Sequence, residues 1–343
     1  MSKITIKQIA ETLGLSVSSI SKALNDSYEI SEETKKRVRD YAKEHNYKPN
    51  RLAKSLKGGH SNTIGVVVCS INNIFVSQIL DGIQKASYET EYDIIVMQSH
   101  ENIENEKSCI EALLNKGVDG ILLAPVSETS NTEYLCKINS EICPIVLFDR
   151  FNPSLDTIKV GVNEYKGALQ ATQHLIRINR KKILFITGSQ FGENNPRIQG
   201  YKKALKTLDI PFNNKLMLAC NLENNEILNR QISEAITELL KSKVKPNAIF
   251  GATGVISIQV LGILAQMKIK VPDEIAVIGF SNFDMPFALN PPLSSIRQPT
   301  QEIGFMALTK LVDLLNMEKH KRQRACETIL LDTTIDFRKS TDL

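Results

Sequence analysis

The chain has 343 residues, 42% of them hydrophobic and 23% charged. That is more than one compact core accommodates, so two or three folding units are expected. No apolar run approaches the ~20 residues that a membrane span needs, and the opening MSKITIKQIAET lacks the apolar centre of a secretion signal, which points to a cytoplasmic protein. The net charge of +4 is unevenly placed: residues 1–60 carry 12 basic and 7 acidic side chains, and the remainder 30 and 31. The whole cationic excess therefore sits on the first segment, as in a phosphate-binding module joined to a body that does not bind nucleic acid. Cys69, Cys109, Cys136, Cys143, Cys220 and Cys326 form no CxxC pair and have no histidine at metal spacing. They read as reduced, mostly buried thiols, and no metal site is expected.

From Thr5 the chain reads TIKQIAETLGLSVSSISKALN. Ile6, Ile9, Ala10 and Leu13 make the apolar stripe of one short helix. Gly14 permits a tight turn, and Ser16 caps a second helix with an inward stripe of Val17, Ile20 and Leu24. Ser18, Ser19, Ser21 and Lys22 are left outward. Two short helices about a glycine turn, the second presenting small or basic residues, form the pattern of a helix-turn-helix whose backbone approaches base edges in a major groove. An αα-hairpin with merely solvated serines is the alternative, because the pattern sets a geometry and not a ligand. After a polar loop, Ser31 caps a third helix with Glu32 and Glu33 in its first turn and Val38, Tyr41 and Ala42 on its apolar face.

NYKPNRLAKSLKGG follows at residues 46–59. Pro49 discourages helix before it, and Asn50 caps about two turns from Arg51 to Lys57, too short to persist alone. Such a segment suits folding on docking, with Leu56 wedged between base steps of a minor groove. A linker whose Leu56 packs on the neighbouring domain is the alternative.

The body alternates short apolar strands with helical patterns: residues 64–68, 93–97, 120–124, 144–148, 182–187, 247–252 and 274–280. Continuous apolar strands between helices imply parallel sheets covered on both faces, and so many of them imply two doubly wound lobes with a ligand cleft at the strand carboxyl ends. VVVCSINNIF after the first strand is neither a dinucleotide fingerprint nor a P-loop, and no catalytic constellation stands at a signature spacing, so an enzyme is not expected. His100 reads as a loop residue. Asp149 and Arg150 end a strand, where a carboxylate could hold ligand hydroxyls or simply join an ion pair.

TIKQIAETLGLSVSSISKALN, ISEETKKRV and NYKPNRLAKSL, followed by TIGVVV, GVDGILLAP, LFDR, RIQGY, VPDEIAVIGF and NPPLSSIRQP, resemble the lactose/galactose repressor family of bacterial transcription regulators over nearly the whole chain. The resemblance implies a helix-turn-helix head at 1–48, a hinge helix at 49–60 and a body at 61–343 built like sugar-binding periplasmic proteins. Lobe 1 would comprise about 61–160 and 292–322, and lobe 2 about 161–291 and 323–340, with crossings near residues 161, 291 and 323. It implies DNA contacts from Thr5, Ser16, Val17, Ser18, Ser19, Ser21, Lys22 and Asn25, and from Asn50, Arg51, Ala53 and Leu56 in the hinge. It implies an effector site of Phe75, Ile79, Phe148, Asp149, Arg197, Leu222, Thr253, Ser281 and Phe283. In that set Phe75 is an aromatic wall, Asp149 accepts hydroxyl hydrogens and Arg197 donates a two-pronged fork.

Three departures from the family pattern matter. Thr253 and Gly254 stand where Asn-Asp is frequent, Ser281 where an acidic contact is usual, and Lys22 where arginine is usual. Without those carboxylates Arg197 would be uncompensated and the cleft would tolerate an anionic effector. Lys22 lacks the bidentate fork for guanine. The expectation is a homodimeric, effector-switched repressor of carbohydrate-use genes on a pseudo-palindromic operator, with a sugar-like effector, no cofactor and no membrane partner. ETILLDTTIDF (327–337) reads as a final strand with no heptad tail after it, so a coiled-coil tetramer is not expected. A regulator of the same fold answering to a non-sugar or anionic effector as corepressor is the first alternative; a sugar-binding protein without a DNA role, an enzyme, and an unspecific DNA-binding protein are the other rival readings.

Overall fold

The computed structural model describes residues 4–45, 47, 61–127, 131–222, 224–322 and 325–342. It divides into two compact units, Met1–Asn62 and Thr63–Leu343. The expected hinge, with Asn50, Arg51, Ala53 and Leu56, lies outside the described residues.

The first unit holds α1 (Ile6–Leu13), α2 (Val17–Leu24) and α3 (Glu32–Glu44). Thr5 and Gln8 close a capping box, the Gln8 N–H donating to Thr5 Oγ1 at 3.4 Å and the Thr5 N–H to Gln8 Oε1 at 2.8 Å. Gly14 ends α1 at φ 66°, a left-handed conformation that glycine adopts without a Cβ penalty. Ile9, Ala10, Ile20, Ala23, Val38 and Ala42 form the buried centre. One expectation fails here. Val17 is 42% exposed, and Ala23 supplies the inward contact, because Val17 opens α2 before its stripe has turned toward the core.

The second unit carries two six-stranded sheets. In chain order its elements are β1 (Thr63–Val68), α4 (Ile74–Thr90), β2 (Asp93–Gln98), α5 (Ile103–Asn115), β3 (Gly120–Leu123), α6 (Thr132–Lys137), β4 (Ile145–Phe148), β5 (Lys159–Val162), α7 (Glu164–Arg177) and β6 (Ile183–Gly188). There follow α8 (Pro196–Thr207), β7 (Met217–Cys220), α9 (Asn225–Lys241), β8 (Ala248–Gly251), α10 (Gly254–Gln266), β9 (Ala276–Phe280), β10 (Ser294–Arg297), α11 (Thr300–Asn316), β11 (Thr328–Leu331) and β12 (Thr334–Asp336). The lobe 1 sheet has the order β11-β5-β4-β3-β1-β2, all parallel, and the lobe 2 sheet β12-β10-β9-β8-β6-β7, parallel except for β12. β3, β4, β6, β8 and β9 are buried along their whole length, as strands covered on both faces must be.

The crossings differ in part from those expected. The first follows Val162, close to residue 161. The second comes after Arg297, not near 291, because β10 stays in lobe 2 and pairs with β9. The third comes after Leu331, not near 323, because β11 pairs with β5. The expected final strand is therefore two strands in two sheets. Across lobe 1, α4 and α11 meet backbone to backbone: a Cβ at Gly82 would come within 2.0 Å of the Gln301 carbonyl oxygen, and one at Gly304 within 2.0 Å of that of Ile79.

Candidate nucleic-acid interface and effector cleft

The outer face of α2 is small and polar. Ser16 caps the helix, accepting from the Ser19 N–H at 3.0 Å, and its hydroxyl lies 2.8 Å from that of Ser19. Ser18 is exposed and Ser21 half-buried, so low side chains bring the backbone to the surface. Asn25 ends the helix and donates to the Ser21 carbonyl at 2.8 Å. Lys22 is ion-paired with Glu29 on the following loop. Behind the surface, Lys35 is buried and bonds Glu32 at 2.6 Å and Asp26 at 3.1 Å, while Arg39 reaches Asp26 at 2.6 Å. The Lys35 hydrogen bond and charge, with Arg39, hold the Asp26 carboxyl below its ordinary value. This cluster fixes the loop between α2 and α3.

In the body, parallel sheets bring the residues that follow each strand to one edge. Phe75 lies in the first turn of α4 after β1, Asp149 after β4, Arg197 in the first turn of α8, Leu222 after β7, Thr253 after β8, and Ser281 and Phe283 after β9. Two members of the expected set are core instead. Ile79 is fully buried against α11, and Phe148 is 1% exposed inside lobe 1. Thr253 caps α10, accepting from the Ile256 N–H at 3.3 Å. Ser281 is buried and accepts from the Phe283 N–H at 3.3 Å.

The charges are the informative part. Arg197 is not uncompensated. It pairs with Glu164 at the start of α7, donates to the Ala252 carbonyl and sits 4.2 Å from the centre of the Phe280 ring. Arg150 donates to both oxygens of Glu101 at 2.6 and 2.8 Å, and to the Val126 carbonyl at 3.0 Å. Asp149, held at φ 65°, lies close enough to feel all four of these groups, and burial pushes its carboxyl up to about 6. Burial likewise raises the Cys69 thiol to about 12, which leaves it unreactive. Glu164 and Glu101 escaped the sequence reading. An acidic residue directly after the capping Asn163 reads as a helix-dipole charge, and its partner is 33 residues away.

The lobes are also joined by an amide network. Gln78 on α4 accepts from Asn282 Nδ2 at 3.0 Å and from the Thr300 hydroxyl at 2.8 Å, and donates to Asp284 at 2.6 Å. A separate cavity of about 330 Å³ opens at the amino ends of β4 and β5, lined by Cys136, Asn139, Asp156, Leu314 and Arg322 among others, and shares no residue with the candidate effector set. Among the described residues no helix is long and apolar enough to cross a membrane, and all six cysteines are free, with Cys326 exposed.

Comparison with known proteins agrees with this division. Residues 5–50 match the family described as bacterial regulatory proteins, lacI family, and residues 172–341 match the periplasmic binding protein-like domain. The HTH-type transcriptional repressor PurR of Vibrio vulnificus (strain CMCP6) is 28% identical over 320 residues, spanning 93% of this chain and 94% of that one. The fold matches that of a lac repressor dimer bound to operator and the anti-inducer ONPF, with a TM-score of 0.85 at 21% identity over 99% of both chains. It also matches the transcriptional regulator CelR in complex with cellobiose, with a TM-score of 0.70 at 24% identity over 98% of this chain and 99% of that one. A head that matches the lacI family of bacterial regulatory proteins and a body that matches the periplasmic binding protein-like domain thus follow one another in a single chain.

Proposed function

We propose that the chain represses carbohydrate-use genes by binding a pseudo-palindromic operator as a homodimer, and that a small sugar-like effector in the interlobe cleft switches it. The observation that carries this reading is the joining of two things in one chain. A capped helix-turn-helix exposes a small, polar recognition face, and a two-lobed body gathers Asp149, Arg197 and Phe75 at the carboxyl edges of its sheets. Val17, Ser18, Ser21 and Lys22 would meet base edges, with Thr5, Ser16 and Asn25 near the backbone. Asn50, Arg51, Ala53 and Leu56 would enter the minor groove from the hinge.

One head offers few base contacts, so specific affinity needs two half-sites. The lac repressor relative is a dimer on its operator. Phe287 and Met285, 87% and 64% exposed after β9, offer apolar surface to a second copy. The cellobiose complex of CelR supports a saccharide in the cleft. Effector binding would shift the lobes and thereby the separation of two hinges, for which a coupling of ~1–3 kcal/mol is enough.

Selection of DNA from a random pool by the full-length chain tests the reading. Enrichment of inverted repeats, bound with two chains per duplex, is expected. Binding without sequence preference and with only a steep salt dependence would favour an unspecific DNA-binding protein. Calorimetry with neutral sugars and free nucleobases would then identify the effector class.

A further inference from the structure

Both guanidinium groups at the strand carboxyl edges are already matched. Arg150 is held by both oxygens of Glu101, and Arg197 by Glu164. Each pair is neutral. The cations at the crossings are matched as well, Lys166 by Asp332 at 2.5 Å and Arg297 by Asp284 at 2.7 Å. Asp149 stands amid Arg150, Glu164, Arg197 and Glu101, three carboxylates against two guanidiniums. No described residue donates a hydrogen bond to its carboxylate; only its backbone is engaged, the N–H donating to the Val160 carbonyl at 3.2 Å. The cleft floor therefore carries one negative charge without a partner.

We infer that the cleft selects its effector by charge, taking a polyhydroxylated ligand with a protonated amine set against Asp149 and refusing phosphorylated or carboxylated ones. This rests on the reading of the cleft as the effector site. A ligand settling there displaces the water that solvates Asp149, and an unmatched carboxylate sealed from water is costly. An ammonium supplies three donors and the missing charge. A neutral sugar supplies donors only, and an anion adds like-charge repulsion. Burial pushes the Asp149 carboxyl up to about 6, with Glu164 and Glu101 adding to the rise and Arg150 and Arg197 opposing it.

The test uses the full-length chain at pH 7.5 and isothermal calorimetry with matched sets: glucose, glucosamine, glucose 6-phosphate and glucuronate, then the corresponding galactose and mannose series. In at least one set the amine should bind about tenfold or more tighter than the neutral parent, with the anions weaker than either. Asp149→Asn should remove the advantage of the amine over its neutral parent, whatever it does to the absolute affinity of either. Glu164→Gln, which frees Arg197, should move the preference toward the anion. The inference is overturned if an anion binds as tightly as the amine, if the neutral parent does, or if no amine binds. Leu222→Trp separates this from the underlying reading. Neutral ligand binding that Leu222→Trp abolishes keeps the cleft as the site and overturns only the charge preference. Amine binding untouched by both Leu222→Trp and Asp149→Asn overturns the cleft itself.

Discussion

The side-chain amide of Asn282 holds the backbone of Gln298 at both ends, accepting from its N–H at 3.0 Å and donating to its carbonyl at 2.8 Å. The same amide donates to Gln78, so the loop after β9, the second crossing and α4 share one buried hydrogen-bond hub. Asn282→Ala leaves several of these groups unsatisfied and should cost about 2–3 kcal/mol of body stability. Gln78→Leu should cost about 1 kcal/mol and speed amide exchange at residues 282–284 and 298–301. Urea unfolding and hydrogen exchange read both. Wild-type exchange in Gln78→Leu would show that the lobes are held together elsewhere.

The contact between α4 and α11 is set by glycines with no room to spare. A Cβ at Gly82 or Gly304 meets a carbonyl oxygen 2.0 Å away, and backbone cannot swing aside as a side-chain tip does. Gly82→Ala and Gly304→Ala should each destabilise the body by about 2–4 kcal/mol. Gly262→Ala, with nothing within 4 Å on the outside of α10, should be neutral or slightly stabilising. Thermal melts of the three variants make the comparison.

Asp149 predicts a pH dependence of definite sign. Its folded value of about 6 lies above the ordinary 3.8, so the folded state holds its proton more tightly than the unfolded state does. Below pH 3.8 both states are protonated and the residue contributes nothing; above about 6 its buried charge costs stability. The cost therefore grows as pH rises from about 4 to 6. Asp149→Asn should raise body stability by about 1–2 kcal/mol at pH 7.5, allowing for partial exposure. The gain should fall to about a third of that by pH 4.5 and vanish as the pH drops below about 3.5. A gain independent of pH would point to packing instead.

Lys22 is tied to Glu29 in the unbound head. Glu29→Gln removes the ion-pair partner of Lys22 and one negative charge from the head. It should tighten operator binding about two- to fivefold at low salt, with the gap closing as salt is raised. Fluorescence anisotropy over a salt series checks this. Weaker binding would mean that Glu29 positions Lys22 instead of withholding it.

The elements that were legible in the sequence are those whose stability is local. The three helices of the head announce themselves by caps and periodicity, with Thr5, Ser16 and Ser31 each accepting from an N–H of the first turn. The continuous apolar strands did so as well. β10, with the sequence SSIR, did not, because its polar residues are satisfied from more than forty positions away. Ser294 is bonded by Ser340 and Thr341 at 2.7 Å each, and Ser295 by Arg338 at 2.8 Å. The cleft followed the same rule. Asp149 was found because it ends an apolar strand, whereas Glu101 and Glu164 gain their meaning only from arginines brought to them by the fold. Arg197 therefore read as spare when it is not.

The closing strands β11 and β12 belong to different sheets, one to each lobe. During synthesis, one lobe gains its last strand only once Leu331 has been made and the other only once Asp336 has, long after the head has emerged. A nascent or prematurely ended chain would thus carry a folded head on an unfinished receptor, and C-terminal proteolysis would strike both lobes at once.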